Sequence, residues 1–215
     1  LIKHYTAHDH PSRRPGFDAK SSSLEAQVAN VADEIAYYSH DLDDGLDAGL
    51  LDESRLKLEV QIWQGATERV EKEFGKLPDE SRRYFTIRCI IDDQVKDVVL
   101  RSLEKIKASG VKTVDDVRLQ DNRLIGYSDK RRLLNLELRK YLYANLYYHP
   151  AVHEPHRRAM QMLEGVFDHF VRHPEAIEPP FHNRIDSDGL RRTVCDFVAS
   201  MTDRFVMREY EQLPG

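Results

Sequence analysis

Apolar residues recur at spacings of three and four along residues 23–50, and this spacing most constrains the fold. The repeat consists of Leu24, Val28, Val31 and Ile35. At 3.6 residues per turn these side chains share one face, which predicts a helix with a buried stripe. Ser22 and Glu25 have the spacing of a capping box at its start. We expect the helix to end near Leu42, because the Asp-Asp-Gly run that ends at Gly45 loosens or turns a helix.

Three polar residues follow one another along an adjacent edge of this helix. Asp33, Tyr37 and Asp41 stand at i, i+4 and i+8, so their side chains stack along one line. Acidic residues at this spacing are typical of a solvated face, and the same line could instead border a pocket. Asp33 lies between Val31 and Ile35, so we expect a half-buried carboxylate. Such a group needs hydrogen-bond donors or a cation, and a metal ion would serve.

The remaining chain also reads as helical, which predicts an all-α fold. Gly and Pro number only 10 and 9 among 215 residues and fall mostly between periodic segments. Further helices are predicted at residues 53–74, 79–108, 127–148, 155–172 and 189–213. Residues 111–122 could form a short strand or nothing regular, and residues 177–188 form a proline-containing loop. The one tryptophan, Trp63, is expected in the core.

Charge and cysteine content exclude several classes of protein. The net charge of −5 provides no global basic field for nucleic acid, so such binding would need a local patch. Cys89 and Cys195 are isolated and have neither the number nor the spacing of a disulfide framework or a zinc site, which fits a reducing cytoplasm. No stretch is apolar enough to span a membrane. The chain begins with Leu1 rather than Met, and we expect it to start inside a longer protein.

Other clusters are open to two interpretations. The histidines and the aspartate near the start could bind a metal or simply be exposed: His4, His8, Asp9 and His10. Four tyrosines could stack on a base or sugar, or pack at a helix end: Tyr141, Tyr143, Tyr147 and Tyr148. Compact basic groups could bind a polyphosphate or lie at solvated helix ends: Arg13-Arg14, Lys130-Arg131-Arg132, Arg157-Arg158 and Arg191-Arg192.

Three segments resemble the bacterial deoxyguanosinetriphosphate triphosphohydrolase-like proteins of the HD superfamily. They are SLEAQVANVADEIAYYSHDLDDGLDAGLL, NLYYHPAV and VCDFVASMTDRFVMREY, and the similarity extends over essentially the whole chain. The resemblance implies an all-α, HD-domain-like multi-helix bundle. It also implies a metalloenzyme that hydrolyses a deoxynucleoside triphosphate, with dGTP favoured, to deoxynucleoside and inorganic triphosphate.

The resemblance also implies roles for individual residues. Asp33 would match the last Asp of the family's H…HD…D metal set. Tyr37 would pack on the deoxyribose, and Asp41 would accept a hydrogen bond from its 3′-hydroxyl. Tyr147 and His149 fall where the family has further substrate-binding wall. A carboxylate suits Mg²⁺, Mn²⁺ or iron, any of which would polarise a phosphoryl oxygen and activate water.

One departure from the family pattern limits what this chain can do. The family's first His and its HD dipeptide lie well upstream of the Asp, whereas only 32 residues precede Asp33 here. We therefore expect the general acid and base, and two of the three ligand elements, upstream of Leu1. The chain would be the C-terminal part of a larger helical protein and inactive alone. Residues 1–50 would end the catalytic domain, and residues 51–215 would form a helical C-terminal domain.

The resemblance leaves rival functions and several partners open. Another HD phosphohydrolase, such as a nucleotidase or phosphodiesterase, would share Asp33 but not the sugar-contacting Tyr37 and Asp41. A non-catalytic helical interaction or nucleic-acid-binding module is the other alternative. The family resemblance further implies a homo-oligomer, for which a hexamer is one form, and allows single-stranded DNA as a partner. No membrane partner is expected.

Overall fold

The computed structural model describes residues 20–213, and within that range all regular secondary structure is helical, with no strand. The α-helices are α1 (Leu24–Asp47), α2 (Glu53–Glu59), α3 (Gln61–Phe74), α4 (Asp79–Ser109), α5 (Val114–Arg118), α6 (Asp129–Leu142), α7 (Pro150–Arg172), α8 (Pro179–His182), α9 (Ile185–Asp188), α10 (Leu190–Ala199) and α11 (Asp203–Glu211). A π-helical turn (Tyr143–Tyr147) follows α6, and a 3₁₀ turn (Pro174–Ala176) follows α7. The predicted all-α class is confirmed.

The end of α1 lies beyond the position expected from the sequence. The helix continues through Gly45 to Asp47 because Gly45 is a packing position rather than a break. A Cβ atom on Gly45 would lie 2.7 Å from Cδ1 of Leu51, so only glycine lets the chain turn back this closely. The carbonyl of Gly45 accepts the backbone N–H groups of both Leu50 and Leu51 at 2.9 Å. The turn itself falls at Gly49, whose φ is +66°.

Two of the long predicted helices are broken in the structure. Residues 53–74 form α2 and α3, which meet at Val60, a fully buried residue in extended conformation. Residues 189–213 form α10 and α11, separated by a short irregular stretch at residues 200–202. In both places the apolar periodicity continues across the break, because side chains on either side enter the same core. Periodicity alone therefore hides the break.

Some expected loops are also partly helical. The connection at residues 111–122 contains α5, whose capping box joins Thr113 and Asp116 in both directions. The proline-containing loop holds the short helices α8 and α9. Pro150 is the first residue of α7, so this helix begins five residues earlier than expected, with Pro155 inside it.

By its internal packing the chain divides into two compact units, with the boundary between Tyr147 and Tyr148. The first unit has a core in which Trp63 is fully buried, as the sequence predicts. In the second unit α7 packs against α10 and α11, and the rings of Phe170 and Phe197 meet edge to face at 5.0 Å. The boundary expected at residue 50 is of another kind, because it marks the end of a catalytic domain and not the limit of a compact unit. It stays a prediction.

The apolar stripe of α1 is only partly buried. Ile35 lies in the interior, whereas Val28 is 50% exposed. Val28, Val31 and Ala32 line an open groove of about 490 Å³ whose opposite wall is α4, including Val95 and Leu103. We call this the apolar groove. The expected burial of the stripe is met at Ile35 and not at Val28, because no part of residues 20–213 covers that end of the stripe.

None of the helices described for residues 20–213 combines the length and the apolar character needed to cross a membrane.

Candidate functional site

The start of α1 is fixed in place by one buried glutamine. Ser23 caps the helix by accepting the Ala26 backbone N–H. Gln27, which is 1% exposed, donates to the Ser22 carbonyl at 2.9 Å through Nε2. Its Oε1 atom accepts the backbone N–H groups of Leu124 and Ile125 at 2.8 and 3.0 Å. The side chain therefore joins α1 to the segment that leads into α6.

The structure places Asp33 on the solvent-exposed part of α1. The expectation of a half-buried carboxylate is wrong, because the apolar neighbours of Asp33 border the open groove instead of a closed core. Within residues 20–213, no side chain donates a hydrogen bond to it. No group of three His, Cys, Asp or Glu residues in that range could hold a metal ion either. Asp33 thus presents an accessible carboxylate, and a metal ion bound there would need further ligands from outside residues 20–213.

Asp41, two turns further along α1, is held by a tyrosine from a distant part of the sequence. The Tyr147 hydroxyl donates a hydrogen bond to Oδ2 of Asp41 across a separation of 106 residues. Burial raises the pKa of Asp41 above its ordinary value, and the hydrogen bond from Tyr147 opposes part of that rise. Burial and the neighbouring carboxylate also raise the pKa of Tyr147. Tyr147 therefore stays a neutral donor, and Asp41 is its acceptor.

Tyr37 and the tyrosines of the π-helical turn form an aromatic wall beside Asp41. The Tyr37 ring, on a residue that is 55% exposed, lies 6.3 Å from the Tyr147 ring between centroids. Tyr143 meets Tyr147 edge to face at 4.9 Å, and the Arg139 guanidinium lies 5.5 Å from the Tyr143 centroid. Open rings next to a carboxylate suit a flat or apolar face of a ligand that also carries a hydroxyl group.

The four tyrosines at the end of α6 therefore do not share one role. Tyr141 is buried in the core of the first unit, which agrees with the interpretation that it packs at a helix end. Tyr147 joins the wall beside Asp41, and Tyr143 packs against it. Tyr148 is exposed and begins the second compact unit. Tyr141 belongs to α6, whereas Tyr143 and Tyr147 are the first and last residues of the π-helical turn.

A second polar cluster lies between α1 and α6, and the sequence reading missed it. Although Glu34 is exposed as a residue, burial of its carboxyl raises its pKa, and Arg139 opposes the rise. Burial and the Glu34 charge also raise the pKa of Tyr127. The Tyr127 hydroxyl and the amide of Asn135 are buried, and the interaction with Asn135 opposes part of the rise in the pKa of Tyr127. Glu34 directly follows Asp33 in the sequence. This adjacency is the one sequence feature that could have indicated the cluster.

His149 has a structural contact of its own. It precedes α7, where its Nδ1 atom accepts the Ala151 backbone N–H at 3.3 Å and caps the helix. His149 belongs to the second compact unit, whereas the other candidates belong to the first. Its role in binding substrate stays a prediction.

The remaining candidates are dispersed. His4, His8, Asp9, His10 and the Arg13-Arg14 pair lie outside the described residues. Arg157 pairs with Glu154 at 2.8 Å, and Arg192 pairs with Asp196 at 3.0 Å, each within one helical turn. These contacts fit solvated helix faces. Both cysteines are free thiols, Cys89 buried and Cys195 exposed.

Comparison with known proteins identifies the class to which this arrangement corresponds. Residues 125–212, which contain α6, the π-helical turn and most of the second unit, match the family model of the phosphohydrolase-associated domain. This part of the chain is thus similar to a domain that accompanies phosphohydrolases.

Curated relatives show which proteins the whole chain is similar to. A deoxyguanosinetriphosphate triphosphohydrolase-like protein from Geobacter sulfurreducens is 34% identical over 215 residues, which cover 99% of this chain and 56% of that protein. One of the same description from Caulobacter vibrioides is 36% identical over 89% of this chain and 49% of its own length. The Leptospira interrogans protein is 31% identical over 89% and 51%. The resemblance inferred from sequence is confirmed, and the chain spans about half the length of the curated relatives it matches.

Proposed function

We propose that this chain is part of a metal-dependent hydrolase that converts a deoxynucleoside triphosphate into a deoxynucleoside and inorganic triphosphate. The observation that carries the proposal is the alignment of Asp33, Tyr37 and Asp41 along one edge of α1, with Asp41 held by Tyr147. Names of relatives at 34% and 36% identity support the same activity. The chain would provide one ligand and one wall of the site.

Asp33 would be the metal ligand. Its carboxylate is accessible and has no competing donor among residues 20–213, so its oxygens are free to coordinate a hard cation such as Mg²⁺, Mn²⁺ or iron. When bound, such a metal would polarise a phosphoryl oxygen and lower the pKa of a water molecule. One carboxylate does not hold a metal alone. We therefore propose that the other ligands, and the general acid and base, come from outside residues 20–213.

Tyr37 and Asp41 would bind the sugar. The exposed Tyr37 ring offers a face on which a deoxyribose can pack, and Asp41 offers a carboxylate oxygen to its 3′-hydroxyl. Tyr37 stands about one helical turn beyond Asp33, and Asp41 stands about two turns beyond it. Tyr147 would complete this wall. His149 is a further candidate for binding the substrate, and dGTP would be the favoured substrate.

The experiment is a product analysis with the full-length protein. Each dNTP is incubated with Mg²⁺, Mn²⁺ or Fe²⁺, and the phosphate products are separated by anion-exchange chromatography. Release of inorganic triphosphate together with a deoxynucleoside supports the proposal. Release of phosphate or pyrophosphate would instead favour another HD phosphohydrolase and overturn the sugar-binding roles of Tyr37 and Asp41.

The other properties expected from the resemblance also remain proposals. They are a cytoplasmic location, a homo-oligomer such as a hexamer, and single-stranded DNA as a further partner. A non-catalytic binding module is the competing function. Asp33→Ala in the full-length protein tests the catalytic assignment: it should lower metal content and turnover, and if both stayed unchanged the catalytic role of Asp33 would be wrong.

A further inference from the structure

Tyr147 reaches Asp41 from a turn of unusual geometry. Residues Tyr143–Tyr147 are π-helical, and this winding follows directly on α6. Isolated π turns are uncommon and are frequently found at functional sites. The Asn145 side chain donates to the Tyr141 carbonyl at 2.9 Å, which satisfies a backbone group at the transition from α6. Leu146, 7% exposed, anchors the turn in the first core. The turn is therefore a supported structure.

The contact with Tyr147 leaves Asp41 one free oxygen. Tyr147 donates to Oδ2, and no other described side chain donates to Oδ1. A carboxylate with one oxygen engaged cannot rotate freely, so the direction of the remaining oxygen is fixed. The same contact occupies the Tyr147 hydroxyl. Tyr147 is then poorly suited to donate directly to a ligand, although its ring still borders the site.

The environment of Asp41 would otherwise favour its neutral form. Burial raises the pKa of the carboxyl, and the nearby Asp44 adds to the rise. The Tyr147 hydroxyl and His40 act in the opposite direction. A neutral carboxyl would present a hydrogen-bond donor at one oxygen, whereas an ionised one accepts at both. Tyr147 thus favours the ionised form of Asp41, which accepts a hydrogen bond from a hydroxyl group.

We infer that Tyr147 is a positioning residue: through its hydroxyl it orients Asp41 so that one carboxylate oxygen accepts a hydrogen bond from the deoxyribose of the substrate. The π-helical turn brings Tyr147 to that position. This inference rests on the proposed role of Asp41 in binding the sugar, and it gives Tyr147 a role different from direct contact with substrate.

The coupling is tested first on the 215-residue chain, without any assay of turnover. The aspartate carboxyl carbons are labelled with ¹³C, and Asp41 is titrated by NMR in the wild type, in Tyr147→Phe and in the control Tyr84→Phe. Tyr84 lies on α4, and its hydroxyl contacts Arg88, not a carboxylate. We expect Tyr147→Phe to raise the pKa of Asp41 by about one unit, because a hydrogen bond to the ionised form is lost. Tyr84→Phe should leave it unchanged. An Asp41 pKa that is equal in the wild type and Tyr147→Phe would overturn the inference.

The second test uses the full-length protein and the 3′-hydroxyl itself. The ratio of kcat/KM for dGTP to that for 2′,3′-dideoxy-GTP measures how much the enzyme gains from that hydroxyl. Tyr147→Phe should lower this ratio about tenfold, mainly through KM for dGTP, as expected for one misdirected hydrogen bond. The value for the dideoxy substrate should change little. Equal losses on both substrates would show that Tyr147 acts on the fold or touches another part of the ligand, which would overturn the inference.

Asp41→Asn separates failure of the inference from failure of the proposed function. If Asp41→Asn keeps the preference for the 3′-hydroxyl, the sugar contact is wrong and the inference falls with it. If Asp41→Asn loses the preference and Tyr147→Phe keeps it, the sugar contact stands and only the positioning role is overturned.

Discussion

Gln27 and Leu124 are joined by a 2.8 Å hydrogen bond from a backbone N–H to a buried side-chain carbonyl, across 97 residues. Ile125 donates to the same oxygen at 3.0 Å, and the Gln27 amide donates to Ser21 and Ser22. One side chain therefore satisfies two buried backbone donors that precede α6. The distance between α1 and α6, on which the site depends, is set partly by this residue.

Gln27→Ala should lower the free energy of unfolding by about 3 kcal/mol, because two buried N–H groups lose their acceptor. Urea denaturation followed by far-ultraviolet circular dichroism measures the change. The control is Gln61→Ala, at an exposed position on α3, where we expect less than about 0.5 kcal/mol. Equal effects at the two positions would mean that the contacts of Gln27 add no stability.

Two glycines inside helices should respond to alanine in opposite ways. Gly45→Ala places a Cβ atom 2.7 Å from Leu51 and should destabilise the chain by about 1–3 kcal/mol. Gly65→Ala, on α3, has open space around the new Cβ and should stabilise by about 0.5–1 kcal/mol through helix propensity. Thermal unfolding of both variants measures the signs. A stabilising Gly45→Ala would contradict the packing described for the end of α1.

Asp33→Ala should abolish turnover in the full-length protein while leaving its stability nearly unchanged. The side chain is exposed and has no hydrogen-bond partner among the described residues, so its loss removes no structural contact. Loss of a ligand should weaken Mn²⁺ binding by more than about tenfold, measured by isothermal titration calorimetry. Asp43→Ala, exposed on the same helix, serves as the control and should keep both metal affinity and turnover. Unchanged metal binding in Asp33→Ala would remove Asp33 from the ligand set.

Asp41 should make stability depend on pH in a direction opposite to that of a salt-bridged aspartate. Because its folded pKa lies above the ordinary value of 3.8, the folded state binds the proton more tightly than the unfolded state. The protonated form is thus favoured by folding, and stability is lost as the pH rises from 3.8 through the raised pKa. Asp41→Asn removes this dependence.

The measurement for Asp41 is urea denaturation of the 215-residue chain at a series of pH values. The free energy of unfolding of the wild type, taken relative to Asp41→Asn, should fall as the pH rises through that interval and then level off. A relative stability that increases with pH would mean that the native environment favours the ionised form, contrary to the burial of this carboxyl.

Sequence patterns predicted the helical class and the shared edge of Asp33, Tyr37 and Asp41, because both follow from local periodicity. The contact between Tyr147 and Asp41 could not be predicted. It joins residues 106 positions apart and depends on a π-helical turn, for which YANLY carries no recognisable signal. Gln27 was equally hidden, since a polar residue in an apolar helix gives no indication of its partners.

The burial of Asp33 was misjudged for a related reason. Its apolar neighbours indicated a closed interior, whereas Val28, Val31 and Ala32 border the open apolar groove. Apolar periodicity reports which side of a helix avoids water, but it does not report whether the covering element lies within the same stretch of chain.

The most direct test of the central claim is the identity of the product from dGTP. The full-length protein with Mn²⁺ should release deoxyguanosine and inorganic triphosphate in equal amounts, whereas the 215-residue chain alone should release neither. Release of dGMP with pyrophosphate, or of dGDP with phosphate, would contradict the account, because the bond cleaved would not be the one between the sugar oxygen and the α-phosphate.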